Sequence, residues 1–405
     1  MRARSEAAVL LASGGLADFA MRFTQVALPL VILRETGSVA ATGLVGGAAG
    51  VPVLLSPWWG RRARQWVDSG ARLAVVAVVA AMALAMVPTA AGLGLLTPGL
   101  LVAAGLLLGC SDALGTPGRT ALLADVGDRW GPGKAVVLLT WQDGVRRVGM
   151  VVGPLMGAAA VAAGITNALL WVEAVAVLTG GLVCIGIRTE RRGDSGAAPS
   201  IRASLVGRRE VALGWLVRGT GCVTWFAFTL GLSVLGAERG QPGVYAAAGM
   251  SGYGVGSVLG TLVAVRVIRR LPALPLACGS WAVVGLCWIG MGTWTRPMSV
   301  ALLAGLAGIV IVWGITAISA LITQQSAGAD RRALLSGQSV VVNASSSAGL
   351  LVGGSIIATV GVENTLIGAG LLTAVVAALV GMYRRTGSGQ DVLPGARLKV
   401  SGPRD

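Results

Sequence analysis

The sequence predicts an all-α membrane protein with twelve transmembrane helices in two pseudo-symmetric six-helix bundles. Three observations predict it. The chain has 405 residues, of which 55% are hydrophobic and 12% charged. A soluble protein would carry about twice that charge. Apolar runs of ~20 residues recur from end to end, and each is long enough to cross a bilayer. The basic residues fall in alternate connections between these runs, as an orientation signal requires.

The first run starts near Ala7 and reaches about Leu33. Arg2 and Arg4 precede it as in a signal peptide. The run is too long for a signal core, however, and Asp18 and Arg22 interrupt it. It reads as the first membrane helix. The next five begin near Val39, Leu73, Thr97, Ala135 and Ala168. The second six begin near Val211, Val244, Ala273, Ser299, Gly337 and Thr365. The expected organisation is a bundle over 1–187, a cytosolic loop over 188–210, a second bundle over 211–385 and a cytosolic tail over 386–405. Corresponding segments in the two halves are offset by a nearly constant length, which suggests duplication into two parallel halves.

With the N-terminus in the cytosol, 25 of the 32 Lys and Arg residues fall on the cytosolic side. Among them are Arg61, Arg62, Arg72, Arg119, Arg129 and the run from Arg188 to Arg209. Only Arg34, Arg239 and Arg296 fall outside, which supports both the topology and the even helix count. The net charge of +15 is thereby accounted for without a nucleic-acid partner. The five cysteines lie in apolar runs and read as small hydrophobes. There is no histidine, so the commonest metal ligand and proton shuttle is missing. No Gly-rich phosphate loop precedes Lys and Ser/Thr, and no cluster has metal-ligand spacing. Neither cofactor nor metal is expected. A membrane enzyme would need polar catalytic residues near one interface, and the short loops offer none.

Glycines spaced by three or four residues mark faces where helices approach closely. The second helix has Gly43, Gly46, Gly47 and Gly50. The fifth has Gly149, Gly153 and Gly157, with Pro154 bending it. The eighth has Gly252, Gly256 and Gly260, and the eleventh has Gly349 and Gly353. The middle helix of each triplet is therefore expected to carry the close-packing face.

At this point the chain resembles the major facilitator superfamily over nearly its whole length. Gly149-Met-Val-Val-Gly153-Pro154-Leu-Met-Gly157 is similar to the antiporter motif of that family's exporters. Asp18, the Gly37-Ser38 turn and Gly252 to Gly260 are most similar to its macrolide and siderophore exporters. The resemblance implies that helices two, five, eight and eleven line the contact between halves, and that helix one lines a central cavity. The chain departs from the family in two places. The cytosolic gate loop keeps Gly60, Arg61 and Arg62, but Arg64 replaces the usual aspartate, and Asp68 and Arg72 stand shifted by four. A fourth-helix arginine is not apparent, and Asp112 reads as the one charge in that helix.

Ionisable groups inside membrane helices are costly and so are functional candidates. They are Asp18, Arg22, Asp112, Asp143, Arg146, Arg147, Glu173 and Arg218. Asp18 and Arg22 are one turn apart and can pair. They form either a titratable pair or a static one. Asp143 can pair with Arg146 or Arg147, leaving one positive charge for an anionic substrate, for Asp18 or Asp112, or for holding the bundle together. Asp112 reads as lying near the inner end of its helix, and Glu173 as an interface charge. Phe19, Phe23, Trp225, Phe226 and Trp313 are candidate cavity aromatics.

The expected function is a secondary active transporter, a proton-coupled exporter of a small amphipathic molecule. It would act as a monomer in a bacterial plasma membrane, with both termini cytosolic. The alternatives are an uptake symporter or uniporter and a transporter-like sensor without turnover.

Overall fold

The computed structural model describes residues 2–131, 134–187, 200–326 and 328–387, with most of their side chains. These residues form fourteen helices. The first six are α1 (Arg2–Thr36), α2 (Val39–Trp66), α3 (Gly70–Gly92), α4 (Pro98–Trp130), α5 (Lys134–Ala162) and α6 (Thr166–Leu182). A short α7 (Ile201–Leu205) follows. Then come α8 (Arg209–Val223), α9 (Trp225–Glu238), α10 (Val244–Arg270), α11 (Ala273–Thr293), α12 (Pro297–Gln325), α13 (Gly328–Val360) and α14 (Val362–Gly387). Thr224 ends α8 and starts α9. The two therefore make one broken span, and the long rods number twelve.

Local sequence sets the joints. Gly37 takes φ +63° and donates to Leu33 O, closing α1, while Ser38 Oγ caps α2 by accepting from Ala41 N. Only glycine adopts that φ without strain. Thr97 caps α4 by accepting from Leu100 N, and Pro98 fills its first turn, where no amide is needed. The rods are apolar on the outside as well. Leu262, Met298 and Leu302 are each about 70% exposed. Such surface requires lipid, and a helix satisfies its own backbone there.

Packing repeats between the halves. In the first, α2 packs on α4, α3 on α6 and α4, and α1 on α5 and α6. In the second, α10 packs on α12, α11 on α14 and α12, and the α8–α9 rod on α13 and α14. Each pairing has its counterpart, the pattern of two like bundles. The halves meet through α2 with α13, α5 with α10, and α1 with α9.

The glycine strings divide between these two kinds of contact. A Cβ at Gly43 would lie 2.7 Å from the Gly354 backbone, and one at Gly47 would lie 2.5 Å from Leu351. That face of α2 crosses to the other half. The string on α10 does not cross. Gly252, Gly256 and Gly260 press on Ala301, Gly305 and Ile309 of α12. Gly349 and Gly353 face Val223 and Phe226 of their own half, and Gly354 is the glycine that α13 turns to α2. Spacing shows that a face is bare without showing which neighbour fills it. Gly149, Gly153 and Gly157 are buried. The side chain of Pro154 lies outside the described residues.

Two further expectations are corrected. Residues 60–62 are not in a loop, because α2 continues to Trp66. The connection is only Val67–Ser69, where Asp68 pairs with Arg72 at 3.0 Å. The side chains of Arg61 and Arg62 lie outside the described residues. Arg119 is not in a loop either. α4 runs past it to Trp130, so Asp112 lies near the middle of a 33-residue helix rather than at its inner end.

Candidate functional site

The apolar core of the first half is split in two. One cluster gathers Leu10, Leu73, Leu122, Leu123 and Val126, and the other gathers Ile32, Val45, Val87, Leu101 and Leu170. On α1 and α4, Asp18, Asp112 and Arg119 fall between these layers. Arg119 packs its Cδ 3.0 Å from where a Gly14 Cβ would stand, so glycine on α1 admits the guanidinium stem. Asp18 on α1 and Asp112 on α4 attract its charge. Asp112 Oδ1 also accepts from Thr116 Oγ1 at 2.7 Å. Arg119 Nε is buried and makes no hydrogen bond among the described residues.

Asp112 and Arg119 are seven residues apart, two turns along one face. The structure therefore sets two predicted carboxylates near a cation that sequence reasoning placed outside the membrane. The signal was available: the apolar residues Ala121, Leu122, Leu123, Ala124 and Val126 resume beyond Pro117 and Arg119. A chain break at Pro is probable only when neighbours cannot satisfy the freed carbonyl.

The other predicted site residues lie as follows. The side chains of Arg22, Phe23, Asp143 and Arg147 lie outside the described residues. Arg146 is exposed on α5. Phe19 is half-buried on α1, one residue from Asp18. Phe226 is buried with its ring against Gly353. Trp313 donates Nε1–H to Gly260 O at 2.9 Å, tying α12 to α10. Trp225 is half-buried among aromatics, with ring centroids 5.0 Å from Phe228, 5.2 Å from Tyr253 and 5.9 Å from Trp288.

Two of the remaining membrane charges have distinct surroundings. Glu173 on α6 is 2% exposed, and its Oε2 has no hydrogen-bond partner among the described residues. Arg218 on α8 is half-buried, with Cys222 and Tyr253 as its electrostatic neighbours. Among the described residues it makes no ion pair.

Comparison with known proteins agrees with this architecture. The family model described as Major Facilitator Superfamily matches residues 10–337. No curated protein sequence matches the chain at a significant level. Among solved structures, the nucleoside transporter NupG superposes with a TM-score of 0.69 at 14% identity, covering 94% of this chain and 98% of that one. A bacterial homologue of the human lysosomal transporter Spinster, inward-facing and occupied, gives 0.73 at 12%, covering 95% and 98%. The human organic anion transporter MFSD10 gives 0.64 at 14%, covering 94% and 100%. At these identities the likeness is one of fold.

Proposed function

The chain belongs to the Major Facilitator Superfamily, and from that premise we propose that it is a proton-coupled exporter of a small amphipathic molecule. The observation that carries the reading is the group Asp18, Arg119 and Asp112 between the two apolar layers of the first half. Two carboxylates facing one buried cation hold a proton count that changes when a helix shifts. α1, which carries Asp18, touches both its own bundle and α9 of the other. Rocking of the halves then alters the surroundings of Asp18. A proton biases such an equilibrium only by its different affinity for the two states.

Alternating access follows from the bare face of α2 on α13, which permits a close but separable contact. Export, rather than uptake, is supported by the likeness of Gly149 to Gly157 to the exporters' fifth-helix motif. The bundle boundaries at 187 and 211 and the cytosolic side of both termini belong to the same proposal, as does a bacterial plasma membrane.

The test is accumulation inside everted vesicles under an imposed proton gradient, interior acid, with a panel of macrolides and siderophores. Asp18→Asn should remove the gradient-dependent part while the protein is made and inserted at normal levels. Undiminished gradient-driven flux in that variant would discard the assignment of Asp18.

A further inference from the structure

The second half treats charge differently from the first. Away from helix ends, Arg218 is its only charged side chain. Among the described residues its four acidic side chains all lie at helix ends: Glu210 opens α8, Glu238 closes α9, and Asp330 and Glu363 open α13 and α14. Three of them are engaged there. Gln325 donates to Glu210, Arg208 pairs with Asp330, and Arg239 pairs with Glu363. Glu210 is eight residues below Arg218 on the same helix, about 12 Å away. Among the described residues of this half, Arg218 thus has no carboxylate of its own.

Helix rotation shows where it points. Gly214 faces Ile318 and Leu321 of α12, and Gly219 faces Ser345 and Val341 of α13. At about 100° per residue, Arg218 lies about 40° from the first direction and about 100° from the second. It therefore projects on the arc between α12 and α13. Tyr253 on α10 and Cys222, one turn on, are its electrostatic neighbours, and Ser346 of α13 lies beside Cys222. The Tyr253 ring in turn meets Trp225 edge to face. The result is a guanidinium bordered by hydroxyl-bearing side chains, beside an aromatic cluster from α9, α10 and α11.

We propose that Arg218 anchors an oxyanion on the transported molecule, a carboxylate, sulfonate or phosphate, whose apolar body lies on the half-buried Trp225. The solute is then an amphipathic organic anion. A cation inside a membrane bundle needs a compensating charge, and the second half supplies none. Arginine presents a planar fork suited to oxyanions, and an aromatic wall holds an apolar body with little ordering cost. The inference rests on the transport reading but divides the labour: protons on the first half, substrate charge on the second.

The test uses the full chain in proteoliposomes with Cys110, Cys184, Cys278 and Cys287 replaced by alanine. Cys222 is then modified by anionic sulfonatoethyl or cationic trimethylammonioethyl methanethiosulfonate. Relative to their rates with free cysteine, the anionic reagent should be favoured about tenfold or more, as a nearby cation requires. Arg218→Gln should abolish the preference, and Arg218→Lys should keep it, which guards against misfolding. No preference, a reversed preference, its survival in Arg218→Gln, or a Cys222 that neither reagent reaches overturns the proposal. Binding to the unmodified protein, read by tryptophan quenching, gives a second measurement. 2-Naphthoate should bind more tightly than its neutral amide, and Arg218→Gln should remove the difference. A naphthoate that binds no better than the amide overturns the anchor. Neither measurement uses a proton gradient, so failure of the anchor and failure of proton-coupled export are seen separately.

Discussion

Replacing Gly43 tests whether the α2–α13 contact is the surface on which the halves part. A Cβ there would stand 2.7 Å from both Gly354 Cα and N, and 3.1 Å from Leu350 O. Carbon atoms in ordinary contact sit about 3.5–4.0 Å apart. Gly43→Ala therefore drives the two backbones apart by about 1 Å, against backbone that cannot rotate away. Gly354 is as tight in return, with a Cβ 3.0 Å from Gly43 Cα. Overpacking of this kind costs ~1–3 kcal/mol. That cost falls only on the state in which these faces touch. A bias of ~1–3 kcal/mol corresponds to a ~5–150-fold change in an equilibrium. The assay is pulsed electron resonance between spin labels at Leu44 and Val352, which are 46% and 52% exposed on the two helices. Gly43→Ala should add a longer-distance population, Gly43→Leu should make it dominant, and turnover should fall in step. Gly368→Ala on α14, where a Cβ meets nothing within 4 Å, should leave both readouts alone. A distance distribution unchanged in Gly43→Leu would show that α2 and α13 do not set the conformational balance.

Other outcomes follow from particular contacts. Arg119→Gln leaves Asp18 and Asp112 without the cation between them and should slow gradient-driven flux at least about tenfold, the effect of about 1.4 kcal/mol. Arg129→Gln removes a pair with Glu6 near the surface at 2.8 Å and should change thermal stability by under ~1 kcal/mol. Thr373→Val deletes the 2.9 Å hydroxyl contact with Thr224 at the break between α8 and α9. Thr224 keeps its bonds to Thr220 O and Gly221 O, so the loss is that of one hydrogen bond, ~0.5–1.5 kcal/mol, seen as a lower unfolding temperature in detergent. Asp330 ties α7 to α13 by accepting from Ser204 at 2.8 Å and pairing with Arg208 at 3.0 Å. These hydrogen bonds, Ser204 first, hold its carboxyl below the usual range. Its contribution is thus complete above about pH 4, the ordinary aspartate value, and is lost as pH falls through the lowered one. Amide exchange at Ala203 should quicken only in that acid window and should lose the acid dependence in Asp330→Asn.

How far the chain could be read in advance differs from residue to residue. The twelve rods follow from length and apolarity, and their joints from short signals such as Gly37-Ser38 and Thr97-Pro98. Asp18 and Asp112 stand out because an ionised group in lipid is costly wherever it lies. Arg119 did not stand out. It sits two residues after Pro117, where an apolar helix and a loop look alike along the chain. The string Gly252, Gly256 and Gly260 was visible as a bare face, yet its partner proved to be α12 of the same half. Trp313 read as a cavity aromatic and is engaged in a bond to Gly260 O.

The order of amino acids alone settled that this is a polytopic helical membrane protein built as two like halves. Lipid imposes that result, since every backbone amide must be bonded within its own helix and every span must reach about 30 Å. Those are constraints on one segment at a time. Which face meets which neighbour is a property of pairs of segments far apart in the chain. Only the packed bundles bring Arg119 to Gly14, set Gly43 against Gly354, and leave Arg218 among Cys222, Tyr253 and the α12–α13 gap. Those juxtapositions depend on side-chain shape across helices, which no spacing within a helix records.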